Sequence, residues 1–296
     1  MKRIVYLLSF AAAVLLAASC DQRQGPVETE VFHWADSTAH AYMTMDVEFP
    51  KGSGDAADRM REELTGVVDR ILSHVTSYED ERFFPPYDGE AGDTKAMLEY
   101  YRDNAFAQIA GQSQQDADER EAYILGDEDF SDEQKAEMIA DMPRWGYEFG
   151  LRKLDETEKY VVFQSMDYIY MGGAHGGVTG EGCLTFSKQD GQRIKDFVDP
   201  SYAADIQPLL VRGVKEYFSD NGYEVSEDEL LDMLFIDDRF IPLPSWPLYP
   251  SGDGLAFVYQ QYEIASYADG MPSFTIPYAD IEPYMTPEAK ALLIEE

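Results

Sequence analysis

The residues best placed to do chemistry lie in a glycine-rich stretch at 168–177, with the sequence YIYMGGAHGG. Glycine adopts positive φ without steric cost and lets another backbone or a ligand approach closely. Gly172, Gly173 and Gly176 therefore predict a tight loop that follows a strand and presents His175. The functional interpretation is a binding or catalytic loop. The structural alternative is a sheet corner in which His175 only bonds to nearby backbone groups.

A second stretch, YEIASYADG at 262–270, supplies partners for this histidine. If Glu263 and His175 act as an acid and base pair, they could hydrolyse peptidoglycan or a peptide. If Tyr262 and Tyr267 act as anchors and Glu263 as an acceptor, the same residues, with Tyr170 before the loop, could bind a ligand. A third interpretation is structural, with Glu263 holding His175 at the corner of the sheet.

Other catalytic motifs are absent from the sequence. It contains no Gly-x-Ser-x-Gly elbow, no His-Glu-x-x-His motif, no paired cysteines and no phosphate-binding Gly-Lys-Ser/Thr. The 57 acidic residues allow many carboxylate pairs, so spacing alone does not identify a glycosidase. We therefore expect no catalytic residues, no metal and no cofactor, and we favour a binding protein over an enzyme.

The N-terminus predicts export and lipid attachment. Lys2 and Arg3 precede an apolar run at 4–16, which is too short to cross a bilayer core of about 30 Å. The Ala-Ser-Cys sequence at 18–20 resembles a bacterial lipobox, in which Cys20 becomes the lipidated N-terminus. The alternative is an ordinary signal with an incidental cysteine. We expect a signal peptide at 1–19, a lipid anchor with a flexible tether at 20–41, and a bacterial membrane location, with the outer membrane favoured.

Composition narrows the class of ligand. The formal net charge is −34, from 57 acidic and 23 basic residues, which disfavours nucleic acid because phosphates need clusters of Lys and Arg. The acidic surface could keep the protein in solution, or it could attract a basic partner. Once Cys20 is lipidated, only Cys183 remains, so we expect no internal disulfide and a stability that depends on core packing.

Apolar periodicity and capping residues predict the elements that position these stretches. Strands are expected at 41–50, 145–151, 160–170, 183–186 and 255–259. Helices are expected to begin at Asp55, at Asp93 or Thr94, at Ser131, at Asp205, at Ser226 and at Pro287. A polar insertion is expected at 112–121 and a turn at 155–157. We divide the folded chain into an N-terminal half at 42–180 and a C-terminal half at 181–296.

Several motifs in this order resemble the RsiV-type exported domain of bacteria. They are YMGGAHG at 170–176, the turn at Asp190-Gly191 with Ile194 and Phe197, and GLAF at 254–257 leading into YEIASYADG. The resemblance covers roughly residues 42–285 and implies an α+β fold, with helices packed on an antiparallel sheet in a two-part domain. Proteins of this family are the outer portion of lysozyme-sensing anti-sigma factors, neighbours of peptidoglycan deacetylase domains, or stand-alone lipoproteins.

The sequence also departs from that family. Ser266 stands where a proline is common, and residues 111–142 are longer and more acidic than in a minimal version. No sigma-binding segment or deacetylase domain accompanies the domain, so neither activity is expected to transfer. The resemblance implies an envelope setting and a ligand such as a basic, lysozyme-like protein or a peptidoglycan fragment.

Overall fold

The first part of the chain forms a six-stranded sheet. The structure is a computed structural model that describes residues 25–76, 81–90 and 92–294. The strands lie side by side in chain order, as β1 (Thr29–Ser37), β2 (Ala41–Pro50), β3 (Trp145–Glu156), β4 (Tyr160–Tyr170), β5 (Gly177–Ser187) and β6 (Arg193–Ile194). Between β2 and β3 the chain forms the helices α1 (Asp55–Leu72), α2 (Thr94–Gly126) and α3 (Asp132–Ala140).

Alternation along the strands places one face of this sheet against α1 and α2. In β2, Met43, Met45 and Val47 are buried while the residues between them are not. They share a core with Leu64 of α1 and Tyr101 of α2. Side chains two residues apart on a strand and three or four apart on a helix lie on the same face, so these patterns create matching apolar surfaces.

The sheet is mixed rather than antiparallel. Four of its five strand pairs are antiparallel, but β2 and β3 run parallel, with Met45 opposite Phe149. Parallel neighbours need a long crossover, and the three helices supply it. The expected α+β class with helices packed on a sheet is confirmed, and the expectation of a wholly antiparallel sheet is corrected at this pair.

The last third of the chain builds a smaller unit. A three-stranded antiparallel sheet of β7 (Tyr249–Ser251), β8 (Gly254–Val258) and β9 (Ser273–Pro277) packs against α4 (Gln207–Asp220). The remaining helices are α5 (Glu227–Met233), α6 (Tyr278–Ile281) and α7 (Pro287–Leu293). Phe218 of α4 and Phe257 of β8 lie in a second core that is separate from the first.

The smaller unit covers part of the other face of the large sheet. Val162 of β4 and Cys183 of β5 are buried there, and Tyr249, Leu292 and Leu293 pack against them. The large sheet is therefore a middle layer, with α1 and α2 on one face and the smaller unit on part of the other. Within the described residues, we find no helix that is both long and apolar enough to cross a membrane.

The structure corrects several expected boundaries. Strand β1 forms at Thr29–Ser37, within the range 20–41 where we expected a flexible tether, because β2 offers it a complete antiparallel partner. Residues 112–121 are not an insertion but part of α2. The cap of α4 is Ile206 rather than Asp205, and β3 continues to Glu156, through most of the predicted turn. Strand β5 crosses the proposed division between residues 180 and 181.

Candidate functional site

The predicted loop joins β4 to β5 at residues 171–176. At two positions in this loop, the backbone conformation or the lack of space explains why the residue is glycine. Gly172 has φ +74°, and its carbonyl accepts a hydrogen bond of 3.3 Å from the Arg120 guanidinium on α2. Gly176 is buried, and a Cβ there would lie 2.3 Å from the ring of Tyr168 and 2.6 Å from the carbonyl oxygen of Ile169. A Cβ on Gly173 would meet nothing within 4 Å, so that position tolerates a side chain.

His175 stands at the exposed end of this loop, in contact with two tyrosines. Its ring is stacked on Tyr267, with 3.8 Å between ring centroids and 21° between ring planes. Nδ1 lies 2.9 Å from the carbonyl oxygen of Gly176, so Nδ1 carries the proton and donates it. Nε2 is then the acceptor, 3.4 Å from the hydroxyl of Tyr262. The backbone thus sets the tautomer of the ring.

Tyr262 completes a surface of three rings, which we call the aromatic face (His175, Tyr262 and Tyr267). Its side chain is 56% exposed, and its centroid lies 5.8 Å from that of Tyr267. Tyr262 has φ +65°, a conformation that is uncommon for a residue with a bulky side chain. Such backbone strain persists only where the surroundings hold it in place, and it is concentrated at functional sites.

Glu263 does not join His175. One carboxylate oxygen accepts the backbone N–H of Ser245 at 2.6 Å, and the other accepts that of Gln260 at 2.7 Å. The side chain therefore bridges two segments of the smaller unit. Among the described residues, no hydrogen bond connects Glu263 with His175, so the structure does not support the idea that Glu263 positions the histidine. It also leaves the proposed acid and base pair unassembled.

Neighbouring contacts attach the aromatic face to the large sheet. The side-chain oxygen of Gln261 accepts the backbone N–H of Val178 at 3.0 Å. The indole of Trp246 donates to the carbonyl oxygen of Gly180 at 2.9 Å. Both contacts join the smaller unit to the start of β5. Sequence reasoning missed Trp246, since it lies in a proline-rich segment without periodicity, and the contact spans 66 positions.

Tyr170 does not belong to the aromatic face. It ends β4 opposite Gly146 and is half-buried. In the described part of the chain, no ring contact links it to His175, Tyr262 or Tyr267. Of the predicted binding residues, the structure therefore brings together His175, Tyr262 and Tyr267, while Glu263, Gly172, Gly173 and Gly176 shape the surrounding backbone or lie beside it. Cys20 and the predicted signal peptide lie outside the described residues.

A buried carboxyl on β4 is a further polar feature that sequence reasoning missed. Asp167 is 6% exposed, and one of its oxygens accepts hydrogen bonds from the hydroxyls of Thr179 at 2.6 Å and Tyr147 at 3.4 Å. Its other oxygen has no partner in the described part of the chain. Burial raises the pKa of Asp167 because the charged form is poorly solvated. The signal available in the sequence was an acidic residue between Met166 and Tyr168 in a strand rich in apolar and aromatic residues.

Burial limits the reactivity of Cys183. Cys183 is buried, and this burial raises the pKa of its thiol to about 12, so the thiolate that reacts with electrophiles or metals is scarce at neutral pH. Across residues 25–76, 81–90 and 92–294, no three side chains of His, Cys, Asp or Glu are grouped so that they could hold a metal ion.

Comparisons with known proteins place the fold. A crystal structure of a DUF3298 family member from Bacteroides fragilis NCTC 9343 aligns over 92% of this chain and 99% of its own, with a TM-score of 0.65 and 18% identity. A DUF3298 family protein from Pseudomonas aeruginosa PAO1 aligns over 90% and 98%, with a TM-score of 0.54 and 13% identity. No curated protein matches the chain significantly.

The family match itself is confined to the C-terminal part. The family described as "Protein of unknown function (DUF3298)" matches residues 195–279, a range that includes Tyr262, Glu263 and Tyr267 but not the glycine loop. The solved structures extend the likeness in fold to nearly the whole chain. Residues 195–279 therefore match the DUF3298 family, and the fold of the whole chain is similar to that of two solved proteins of that family.

Proposed function

We propose that this protein is a non-enzymatic, lipid-anchored envelope protein that binds a protein or cell-wall ligand through the aromatic face. The observation that carries the proposal is the stack of the exposed His175 on the half-buried Tyr267, with the exposed Tyr262 beside it. Tyrosine rings supply a large contact area at low entropic cost and are frequent anchors of binding sites. Here the hydrogen bond from His175 to the Gly176 carbonyl and the stack on Tyr267 orient the imidazole before any ligand arrives, which lowers the cost of binding.

The bonds made by the polar side chains favour binding over hydrolysis. A general acid or base must reach the proton that it transfers, within about 2.6–3.2 Å or through one water. Both carboxylate oxygens of Glu263 already accept backbone N–H groups, and the free nitrogen of His175 faces Tyr262. The pair therefore fits a structural role for Glu263 and a contact role for His175.

Charge and family likeness suggest the class of ligand. The net charge of −34 attracts cations and speeds the encounter with a basic protein. The motifs shared with the RsiV-type domain favour a lysozyme-like muramidase as that protein, with a peptidoglycan fragment as the second choice. Electrostatic attraction alone lacks specificity, so the aromatic face would have to supply the fit.

Binding to lysozyme tests the assignment. Hen lysozyme and a non-muramidase of similar size and basic charge are titrated against the protein at low and at physiological salt. We expect lysozyme to bind at least about tenfold more tightly than the control protein at physiological salt, which corresponds to about 1.4 kcal/mol. Equal binding of the two proteins, or loss of all binding at physiological salt, would overturn the lysozyme assignment.

Variants of the aromatic face show whether it is the contact surface. Tyr262→Ala and Tyr267→Ala should each weaken lysozyme binding by about tenfold or more, as for interface anchors. Tyr202→Ala is the matched control, since Tyr202 is also an exposed tyrosine in the smaller unit. If the control weakens binding as much as the two variants, the assigned surface is wrong.

Purified protein should not turn over peptidoglycan, and turnover lost in both His175→Ala and Glu263→Gln would instead establish a hydrolase.

The lipid anchor is a separate part of the proposal. It rests on the lipobox-like sequence that ends in Cys20, and the outer membrane is the favoured location. Cys20→Ala should abolish labelling with a fatty-acid analogue and release the protein from the membrane fraction. Labelling and detergent partition that are the same in the variant and the parent protein would rule out lipidation at Cys20.

A further inference from the structure

A second surface, away from the aromatic face, has the features of a docking groove. A cavity of about 820 Å³ opens between the second half of α2 and α3. Its apolar wall includes Tyr123, Phe130 and Met138, which are 76%, 38% and 39% exposed. Large apolar side chains that are exposed together, within a rim of polar residues, mark a site of interaction. We call this surface the α2–α3 groove.

Helix α3 has less packing than a helix of its length needs. It has nine residues, and none of them is buried. Isolated helices shorter than about 12–15 residues are marginal in water, and helices in proteins gain most of their stability from packing of an apolar face. A capping box of Ser131 and Gln134 defines the start of α3, yet Met138 is still 39% exposed. The helix is formed and contacts α2, but part of its apolar face stays exposed.

The second half of α2 also has few buried residues. The first half of α2 contributes Met97, Leu98, Tyr101, Ala105 and Ile109 to the first core. Beyond Gln112, only Ser113, Ala117 and Ile124 are buried. With 33 residues, α2 is about 50 Å long, and its C-terminal part extends beyond the core that holds the rest of the helix. Both walls of the groove therefore expose apolar surface.

The charges around the groove select the partner. Four carboxylates line it, from Asp116, Glu119, Glu137 and Asp141, with Arg120 as the single cation. Arg120 is already paired with Asp116 and bonds to the loop at Gly172. Neither Glu137 nor Asp141 forms an ion pair within the described chain. The groove thus presents uncompensated negative charge around an apolar centre.

We propose that the α2–α3 groove binds an amphipathic helix of a partner protein, with apolar residues on one face and Lys or Arg beside them. Two helices joined by the short connection at 127–131 form an αα-hairpin, and a third helix laid along it covers the apolar faces of both. Helices bind such grooves through side chains at i, i+3, i+4 and i+7. Basic residues flanking that stripe meet the carboxylates of the rim.

Charge also argues against a second copy of this chain as the occupant. The net charge is −34, and two acidic grooves brought together would repel each other. The proposal does not depend on the function assigned to the aromatic face, because the two surfaces share no side chain. The loop connects them, since Gly172 contacts Arg120 beside the groove while His175 lies in the aromatic face.

The test uses a peptide with a defined pattern as the probe. A labelled synthetic helix of about 18 residues, or five turns, carries leucine at i, i+3, i+4 and i+7 with lysine elsewhere. A scrambled peptide of the same composition lacks the stripe. Fluorescence anisotropy with the full chain should give at least about tenfold tighter binding for the striped peptide. Equal binding of the two peptides would overturn the proposal, because charge alone would then explain it.

Variants locate the binding surface. The double variant Phe130→Ser, Met138→Ser should weaken binding of the striped peptide by about tenfold or more. The matched control is Val31→Ser, Phe235→Ser, which removes two apolar side chains that are 72% and 56% exposed elsewhere. The pair Glu137→Gln, Asp141→Asn should lower affinity more than Glu224→Gln, Asp237→Asn, which removes two exposed acids of the smaller unit. Groove and control variants with equal affinities would refute the assignment.

Two further measurements separate the alternatives. Hydrogen exchange of the α3 amides should slow when the striped peptide binds, because the peptide would then cover the exposed apolar side chains of α3. His175→Ala should leave peptide binding unchanged, so failure of this proposal and failure of the function proposed for the aromatic face can be told apart. Sedimentation that shows a dimer which dissociates in Phe130→Ser, Met138→Ser would identify a second copy as the occupant and overturn the proposal.

Discussion

At Gly176 a single methyl group separates a fitted loop from a strained one. A Cβ there would lie 2.6 Å from the carbonyl oxygen of Ile169, and that backbone oxygen is held within β4. Gly176→Ala should therefore lower the free energy of unfolding by about 1–3 kcal/mol, the usual cost of overpacking. Urea denaturation measures it, with Gly173→Ala as the control, where a Cβ meets nothing within 4 Å. Equal losses in the two variants would contradict this account of the loop.

Asp167 gives the protein a predictable response to pH. Because burial raises its pKa above the ordinary value of 3.8, protonation favours the folded state. Its favourable contribution is complete below the unfolded pKa and is lost as pH rises through the folded pKa. Asp167→Asn removes this titration while keeping an oxygen that can accept from Thr179.

The stability of the parent protein relative to Asp167→Asn should therefore rise as pH falls from 7 towards 4. The measurement is the difference between the two free energies of unfolding, from urea titrations at each pH. Asp237→Asn, at an exposed position, serves as the control for effects of acid on the rest of the chain. A difference between the parent and Asp167→Asn that does not vary with pH would show that Asp167 is not titrating as its burial implies.

At the scale of elements, two helices with the same cap have different amounts of packing. Both α3 and α5 begin with a capping box, at Ser131 and Ser226, but only α5 has a fully buried residue, Leu230. Loss of an N-cap hydroxyl costs about 0.5–2 kcal/mol. In α3 the loss should be local, because the helix can open without exposing a core.

Ser131→Ala should therefore speed hydrogen exchange of the α3 amides by about fivefold, as expected for about 1 kcal/mol, with little change in global stability. Ser226→Ala should lower the global free energy of unfolding by about 1 kcal/mol, because α5 is anchored in the second core. Exchange by mass spectrometry and urea denaturation together measure both effects. A global loss in Ser131→Ala equal to that in Ser226→Ala would mean that α3 is not an independently opening helix.

The elements that sequence reasoning predicted best had apolar periodicity or a cap. The alternation of Met43, Met45 and Val47 predicts β2, and Asp93 is the N-cap of α2 as one of the two expected residues. Periodicity failed where an element is not half-buried. Residues 112–121 continue α2, and side-chain pairs four residues apart, such as Gln114 with Asp118, help to stabilise the helix there. Strand β1 is an edge strand that is mostly open to solvent and carries little apolar pattern.

The candidate site shows a similar limit. The order of motifs suggested that His175, Tyr262 and Tyr267 lie together, and the structure places their rings in contact. The partners of Glu263 could not be predicted, because both are backbone N–H groups, those of Ser245 and Gln260. Every residue except proline has such a group, so the residue type does not indicate which one will bond. Long-range contacts such as that of Trp246 with Gly180 are hidden for the same reason.

At the scale of the whole molecule, the dominant property is the repulsion between its many negative charges. A net charge of −34 opposes compaction, and salt screens it. Between 0.01 M and 0.15 M ionic strength the Debye length falls from about 30 Å to about 8 Å. The melting temperature should therefore rise with added NaCl over this range. Choline chloride at the same ionic strength is the control, because a rise seen only with sodium would indicate a specific cation site rather than screening.

The parallel pair of β2 and β3 also dictates an order of events while the chain is being made. β2 ends at Pro50 and β3 begins at Trp145, so about 95 residues must follow β2 before its neighbour exists. At synthesis rates of about 5–20 residues per second, that interval lasts about 5–20 s. Throughout it, the β1–β2 hairpin has an unpaired edge, and its row of methionine, valine and phenylalanine side chains stays uncovered until α1 and α2 have been made. Nascent chains stalled before Trp145 should therefore be the forms of this protein that holding chaperones bind most strongly and that aggregate most readily.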